Sequence, residues 1–419
     1  MKTQKIVVVG QGYVGLPLAM RAVEAGYRVV GVDVDPDRVA ALLAGRSYVE
    51  DVAAGTVTAA LATGRYVATG DYDAAQGFDH AVVTVPTPLA DGLPDMSYVE
   101  AAMRELATRI TRGSTVVLES TTYPGTTDKL VAPLLEAGSG LRAGVDFHLG
   151  YSPERIDPGN PAWGLVNTPK IVSGVTEASR EAVQRLYETL VDKVIPVGGT
   201  REAEMTKLLE NTFRHVNIAL VNELAVLAHE LDIDVWEVVD AATTKPFGFM
   251  RFTPGPGVGG HCLPVDPSYL SWEVKRRLDR PFRFVELANE VNSHMPGYVV
   301  QRVAQSLNKH RKSLNGARVL LIGLSYKRNS GDCRESPALR VARLLHEQGA
   351  QLTAVDGYVP PRQVPPFVEL VPLTPQRVRD ADIAVILTDH DDVDYALLGD
   401  AAAVLDTRYR VQTGAVDHL

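Results

Sequence analysis

The chain has 419 residues, too many for one ordinary hydrophobic core and in keeping with two or three domains. A formal net charge of −9 argues against a nucleic-acid binder, and no apolar run reaches the roughly 18 residues that span a bilayer. With 45% hydrophobic and 22% charged residues and only two cysteines, Cys262 and Cys333, the composition is that of a soluble globular protein expected in a reducing cytoplasm.

The opening MKTQKIVVVGQG runs straight into a strand, so it does not read as a leader peptide. Lys5–Val9 is a short, β-branched apolar run, as a buried parallel strand should be. Gly10, Gly12 and Gly15 follow at once, then a helical pattern to Ala25. A second strand, Arg28–Val32, closes on Asp33. A lone GxGxxG is weak evidence, but here it follows a strand, opens a helix and precedes an acid at the end of the next strand. Gly10 permits the tight turn, Gly12 lets the backbone approach a pyrophosphate, and Gly15 lets helix and strand pack closely. The diphosphate is expected at the helix N-terminus, with Tyr13 and Val14 in the same loop. Asp33 would accept ribose hydroxyls and repel a 2′-phosphate, which favours NAD over NADP; Arg38 flanks it.

Strand-like runs recur at His80–Val85 and Thr115–Leu118, with a helical stretch over Tyr98–Ile110. Such alternation predicts a doubly wound parallel sheet. The loops VPTP and ESTTYP follow these strands, so Thr87 and Thr121 are placed to touch the cofactor, although singly each is ordinary turn chemistry. From Glu202 to about Leu231 the sequence reads as helix without breakers, with further helices over Val235–Thr243, from Tyr269, and from Phe284 to Asn308. The long helix is a candidate homodimer seam, and an intrachain core is the alternative. After NKHRKSLNG the α/β texture returns, with strands at Arg318–Gly323, Gln351–Asp356 and Ile383–Leu387 and a helix over Ser336–Gln348. The fold class is therefore α/β: two Rossmann-like doubly wound sheets (1–199 and 311–419) joined by an all-α middle domain, 200–310.

The stretch GPGVGGHCLPVDP, from Gly255 to Pro267, places Cys262 in a glycine-lined loop with Asp266 four residues on. Glycines let a backbone approach a substrate, and a thiolate attacks carbonyls. Lys207 and Asn211 lie four apart, on one face of the long helix, where together they would stabilise an oxyanion. By itself such a pair is more often a solvated face, and a lone cysteine a small buried residue. No Cys/His set has zinc-ligand spacing, so no metal is expected.

GGHCLPVDP, LLENTFR, YSPERIDPGN and SYKRNSGDCRESPAL together resemble the UDP-glucose/GDP-mannose dehydrogenase family, in the family's motif order and over essentially the whole chain. GPGVGGHCLPVDPSYL, TKPFGF and ERIDPGN resemble its branch acting on UDP-N-acetylmannosamine, UDP-N-acetylglucosamine and relatives. The resemblance implies a four-electron oxidation of a nucleotide sugar at C6, consuming two NAD. It makes Cys262 the nucleophile that forms a thiohemiacetal and then a thioester. Lys207 and Asn211 would bind the reacting oxygen or a water, Asp266 would aid proton transfer, and Glu154 would serve hydrolysis. Lys327 and Arg408 match contacts to the nucleotide diphosphate, and Arg334 a residue on the NAD side. Arg155, Lys245 and Gly259 join them on the sugar side. His261 is a candidate for tuning the thiol, while Cys333, His148, His215, His229, His294 and His390 read as structural or surface residues.

The chain departs from typical glucose-type enzymes at Pro158, where they carry a second glutamate, and at Val265, where they carry lysine. The partner-subunit arginine that reaches the sugar has no obvious counterpart, with Lys245 and Arg251 nearby. Two rivals share the plan: a two-electron hydroxyacid dehydrogenase of the 6-phosphogluconate type, and a catalytically silent sugar-nucleotide sensor.

Overall fold

The structure is a computed structural model and describes residues 3–90, 92–157, 160, 162–260, 262–411 and 416–419, with the backbone alone at Cys262 and Pro264. The chain forms two compact units, 1–210 with 268–278, and 211–267 with 279–419.

The first unit is built on six parallel strands: β1 (Lys5–Val9), β2 (Arg28–Val32), β3 (Tyr66–Thr69), β4 (His80–Val83), β5 (Thr115–Leu118) and β6 (His148–Tyr151). Their order is β3-β2-β1-β4-β5-β6. Helix α1 (Gly15–Glu24) lays Leu16, Ala19 and Val23 into a core with Ile6, Val8 and Val29. Val183, Leu186 and Tyr187 of α2 (Glu177–Glu188) close the same core. The register sets Val9 opposite both Val32 and Val83, so the loops after β1, β2 and β4 leave the sheet side by side.

The helical segment follows as α3 (Thr200–Glu230), α4 (Val235–Thr243), α5 (Cys262–Leu278) and α6 (Arg283–Lys309). The one substantial shift from expectation is α5, which begins at Cys262 rather than at Tyr269. Cys262 therefore opens a helix instead of sitting within a loop. Pro264 is tolerated because it falls in the first turn, where N–H groups lack intrahelical acceptors anyway. Pro267 lies deeper, and the helix continues past it. His261 and Pro158 lie outside the described residues.

The second unit repeats the sheet plan with β7 (Arg318–Ile322), β8 (Gln351–Val355), β9 (Val368–Leu370), β10 (Ile383–Ile386), β11 (Val404–Asp406) and β12 (Val416–His418), all parallel, in the order β9-β8-β7-β10-β11-β12. Val319 and Leu321 pack with Val299, Val303 and Leu307 of α6 and with Val341 and Leu345 of α7 (Pro337–Glu347). Leu320 and Ile322 face the other way, toward Val378, Leu398 and Val411. A strand buried on both faces is continuously apolar, which is why RVLLI was recognisable. Shorter strands such as β6 (HLGY) were not. There Gly150 is required by packing, since a Cβ would come within 2.2 Å of the Ser173 carbonyl oxygen. Among the described residues no helix is long and apolar enough to cross a membrane.

Asp356, just past β8, anchors this unit. Its carboxylate accepts N–H groups from Leu324 (2.7 Å), Ser325 (3.4 Å), Tyr358 (2.9 Å) and Val359 (2.9 Å) and lies 3.1 Å from His390 Nε2. The N–H of Asn329 donates to His390 Nδ1 at 3.0 Å, which leaves Nε2 as the nitrogen that donates to Asp356. Burial opposes the charge, but the His390 hydrogen bond and the Leu324 and Val359 N–H groups outweigh it and hold the carboxyl at about 2. An unfolded aspartate titrates near about 3.9. Because the folded value is lower, the stability this group contributes is complete above the unfolded value and is lost as pH falls toward the folded one. Asp356→Asn is expected to lower the melting temperature at neutral pH and to flatten the fall in stability between about pH 4 and pH 2. Circular-dichroism melts across that range check it; an unchanged slope would refute the role.

Candidate active site

The first candidate site lies at the carboxyl edge of the first sheet. Gly10 takes φ +90° and donates its N–H to the Val32 carbonyl at 2.7 Å. A Cβ there would lie 2.8 Å from the Thr84 carbonyl oxygen, and one at Gly15 would lie 1.8 Å from the Gly10 carbonyl oxygen. Both glycines are therefore fixed by close approach. Among the described residues a Cβ at Gly12 would meet nothing within 4 Å, so they leave the space over the turn open. No side chain caps the first turn of α1. An anion above Gly12 would be received by that helix terminus.

The loop is held from beneath by residues the sequence reading passed over. Gln11 is fully buried; its Nε2 donates to the Val8 carbonyl at 2.9 Å, and its Oε1 accepts the Tyr66 hydroxyl at 2.8 Å. Tyr48 donates to the Gln11 carbonyl at 2.7 Å, and Thr84 to the Gly10 carbonyl at 2.9 Å. Asp33 is buried and accepts the N–H groups of Gln11 (2.8 Å) and Asp35 (3.0 Å), with Arg38 Nη1 3.5 Å away. Lone pairs remain for a ribose diol. An open floor at Gly12 and an under-used carboxylate at Asp33 fit NAD. Tyr13 is partly exposed and Val14 precedes α1. Thr87 is buried, and its carbonyl accepts the Tyr269 hydroxyl at 2.9 Å.

The segment after β5, which holds Thr121, is clamped to the start of α3. Glu204 accepts the Gly125 N–H at 2.5 Å, the Thr127 N–H at 2.8 Å and the Thr127 hydroxyl at 2.7 Å. Burial pushes the Glu204 carboxyl up to about 7 against these bonds. One turn along α3, Lys207 is buried and its Nζ donates to the Glu154 carbonyl at 2.6 Å. The solvated-face alternative for this helix position is thereby excluded. The Oε1 of Glu154 accepts the Ile156 N–H, and its Oε2 is buried. Arg155 pairs with Glu210 at 2.7 Å and donates to the Pro169 carbonyl at 2.6 Å.

In the second unit, Asn211 is buried and its Nδ2 donates to Asp266 Oδ2 at 2.5 Å. Asp266, five residues into Cys262–Leu278, is 1% exposed. The Cys262 side chain lies outside what the structure describes. The glycine stretch before it packs against the residues after β7. Cβ atoms at Gly259 and Gly260 would both come within 2.7 Å of the Tyr326 side chain, and Gly260 donates to the Arg334 carbonyl at 2.9 Å. Asn222 accepts the Gly255 N–H at 2.9 Å. Arg408 Nη1 would lie 2.9 Å from a Cβ at Gly255. Arg408 also donates to the Leu387 carbonyl at 2.8 Å, and burial lowers its guanidinium to about 10. It is not the solvated charge that its position in the sequence suggests.

Lys327 is half-buried, with its carbonyl accepting the Ser325 hydroxyl at 2.8 Å. Arg334 pairs with Asp332 at 2.5 Å. Lys245 is exposed over the Phe247 ring, and Arg251 pairs with Asp240 at 2.6 Å. Burial, with Asp356 and Asp332 beside it, pushes the Cys333 thiol up to about 12, which removes it as a nucleophile at neutral pH.

Three family models match in succession. The NAD-binding domain of the UDP-glucose/GDP-mannose dehydrogenase family matches 4–191, its central domain 201–294 and its UDP-binding domain 320–413. The UDP-N-acetyl-D-mannosamine dehydrogenase of Pyrococcus horikoshii is 37% identical over 389 residues, 93% of this chain and 90% of that protein. A UDP-N-acetyl-D-glucosamine 6-dehydrogenase of Pseudomonas aeruginosa is 38% identical over 363 residues, 86% and 84% of the two chains. The solved structure of the Pyrococcus horikoshii UDP-D-ManNAc dehydrogenase superposes with a TM-score of 0.89 at 33% identity, covering 99% of each chain. Matches of this extent, on a chain whose first sheet already carries a fitting dinucleotide cradle, make it a member of the UDP-glucose/GDP-mannose dehydrogenase family and an NAD-dependent nucleotide-sugar dehydrogenase.

Proposed function

We propose that the enzyme oxidises the C6 hydroxymethyl group of a UDP-N-acetylhexosamine to a carboxylate in two rounds, through a covalent intermediate on Cys262. The observation that carries this reading is the burial of Lys207 and Asn211 one turn apart on α3, the first bonded to Glu154 and the second to Asp266. Buried polar groups without a task are costly, and an ammonium beside an amide is suited to holding an oxyanion. The relatives that act on UDP-N-acetylmannosamine and UDP-N-acetylglucosamine, together with Val265 and Pro158, support the N-acetylhexosamine branch. In this reading 1–199 holds the cofactor, 200–310 supplies the chemistry and 311–419 holds the nucleotide, with Lys327 and Arg408 on the diphosphate.

NAD, which the Gly10–Gly15 turn and Asp33 would hold, would supply the hydride acceptor for C6 in each round. In the first round the C6 alcohol gives up a hydride and passes its hydroxyl proton to Asp266, leaving an aldehyde. Lys207 and Asn211 donate hydrogen bonds to its oxygen. The Cys262 thiolate adds to the carbonyl carbon, a C–S bond forms and the oxygen takes a proton. In the second round this thiohemiacetal loses a hydride from C6 and its hydroxyl proton to Asp266, giving a thioester. Glu154 then takes a proton from water, the hydroxyl adds to the thioester carbon, the C–S bond breaks and Cys262 leaves as thiolate. The covalent link keeps the aldehyde in place while spent cofactor is exchanged.

Cys262→Ser is expected to form NADH but to lose carboxylate formation by at least about a hundredfold. Glu154→Gln is expected to slow hydrolysis by about 10²–10⁴ while the thioester accumulates. Rapid-quench mass spectrometry of the sugar and of the intact protein checks both. Full-rate release of the uronic acid by Cys262→Ser would rule out the covalent route.

The partner is a second copy of the chain, docked through the helical segment. Leu220, Leu224 and Leu227 are exposed at helical spacing on one face of α3, a stripe that a lone protomer would leave in water. The double substitution L224D/L227D is expected to convert a dimer to a folded monomer in size-exclusion chromatography with light scattering. An unchanged mass would place the interface elsewhere.

A further inference from the structure

Behind Glu154 lies a buried charge cluster that no step above uses. Lys170 opens the short strand Lys170–Val172, in the unremarkable sequence TPKIV. Its ammonium lies 3.1 Å from Glu119 Oε1 and 3.9 Å from Glu154 Oε2. It also donates to the Pro153 carbonyl at 3.2 Å and sits 5.2 Å from the centre of the Tyr187 ring. The Tyr187 hydroxyl donates to the same Glu119 oxygen. The side chains of Lys170 and Glu119 are 5% and 1% exposed, so water does little to screen them.

One cation thus serves two carboxyls. Two carboxylates and one ammonium leave a buried excess of one negative charge, which a protein interior disfavours. The two carboxyls therefore compete for the one ammonium. The deeper one is Glu119, and burial pushes its carboxyl up, with Lys170 pulling the other way and Glu154 adding to the push. Tyr187 does not supply the charge, because burial and the neighbouring Glu119 raise its hydroxyl well above the ordinary range. Glu154 differs. Its Oε1 is committed to the Ile156 N–H, and its Oε2 accepts no hydrogen bond among the described residues. The Lys170 ammonium is then what orients that oxygen.

We propose that Lys170 is a positioning residue for the hydrolytic half of the reaction: its ammonium, for which Glu119 and Glu154 compete, holds the Glu154 carboxyl in place as the base. This rests on the reading of Glu154 as the base. Five charged or titratable groups surround the Glu154 side chain and its backbone. They are Lys170 on its own strand, Glu119 after β5, Tyr187 on α2, Lys207 on α3 through the Glu154 carbonyl, and the adjacent Arg155, which is paired with Glu210.

The sign is testable from two sides. Removing the cation in Lys170→Met takes away the charge that favours the carboxylate form at this site, so the acid limb of uronate release should move up by roughly one pH unit or more. Removing the competing carboxyl in Glu119→Gln gives Lys170 wholly to Glu154, so the limb should move down. Lys170→Arg should restore the wild-type limb, and K170M/E119Q should fall between wild type and K170M. Rapid-quench uronate release from pH 4 to 9, with melting curves for each variant, provides the readout. A merely structural role would slow or destabilise both single variants without opposite shifts, and same-sign or absent shifts in folded variants would overturn the proposal. If Lys170→Met fails to fold, the direction seen in Glu119→Gln and the rescue by Lys170→Arg decide it. Glu154→Gln separates the two readings. If it keeps the acid limb, the base assignment falls and this inference with it. If it loses the limb while Glu119→Gln and Lys170→Met leave theirs unmoved, only the role of Lys170 is refuted.

Discussion

A parallel sheet buried on both faces has no place for polar chemistry except the carboxyl ends of its strands. That constraint operates in both units. In the first, glycines and polar residues follow strand ends in turn: Gly10 after β1, Asp33 after β2, Thr84 and Thr87 after β4, Glu119 after β5, Glu154 after β6. In the second, Leu324 and Ser325 follow β7, Asp356 follows β8, His390 follows β10 and Arg408 follows β11. The apolar strands fix where the chain turns, and the turns fix where charge is carried.

The two sheets use the same device to different ends. Each has a glycine at positive φ after its first strand, with its N–H bonded to the last residue of the second: Gly10 to Val32 at 2.7 Å and Gly323 to Val355 at 2.9 Å. In each, a threonine after the fourth strand crowds that glycine, Thr84 or Thr388, and an acid follows the second strand. The acids then diverge. Asp33 accepts two backbone N–H groups and a long contact from Arg38, which leaves it able to take a ribose. Asp356 is saturated by four N–H groups and His390. A carboxylate with no lone pairs to spare cannot read a ribose diol. The acid of the second sheet is thus committed to structure.

The helix α3 shows how about two turns of one helix serve several neighbours. Glu204 clamps the segment after β5, Lys207 reaches the Glu154 carbonyl, and Asn211 holds Asp266. Spacing of three and four residues predicted a common face for the last two. It did not reveal whether that face was wet or dry, because a helix pattern fixes direction and not what lies opposite.

What the sequence by itself determined was the local geometry. Continuous apolar runs marked the strands buried on both faces, and Gly10, Gly12 and Gly15 with Asp33 marked the dinucleotide turn, because those residues answer to short-range sterics. The motifs around Cys262, Lys207 and Lys327 carried the family. What only the tertiary structure decided was every property set by residues distant in the chain. Gln11 is pinned by Tyr66, 55 residues on, and Glu204 by groups 77 and 79 residues before it. Lys170 has no local signal at all, since its role depends on Glu119 and Glu154 arriving from two other strand ends. The helical start at Cys262 was masked by glycine and proline, whose loop preference is outweighed when the prolines fall near the beginning of a helix. Burial and pairing arise from chain segments meeting in space, and no window of sequence contains both partners.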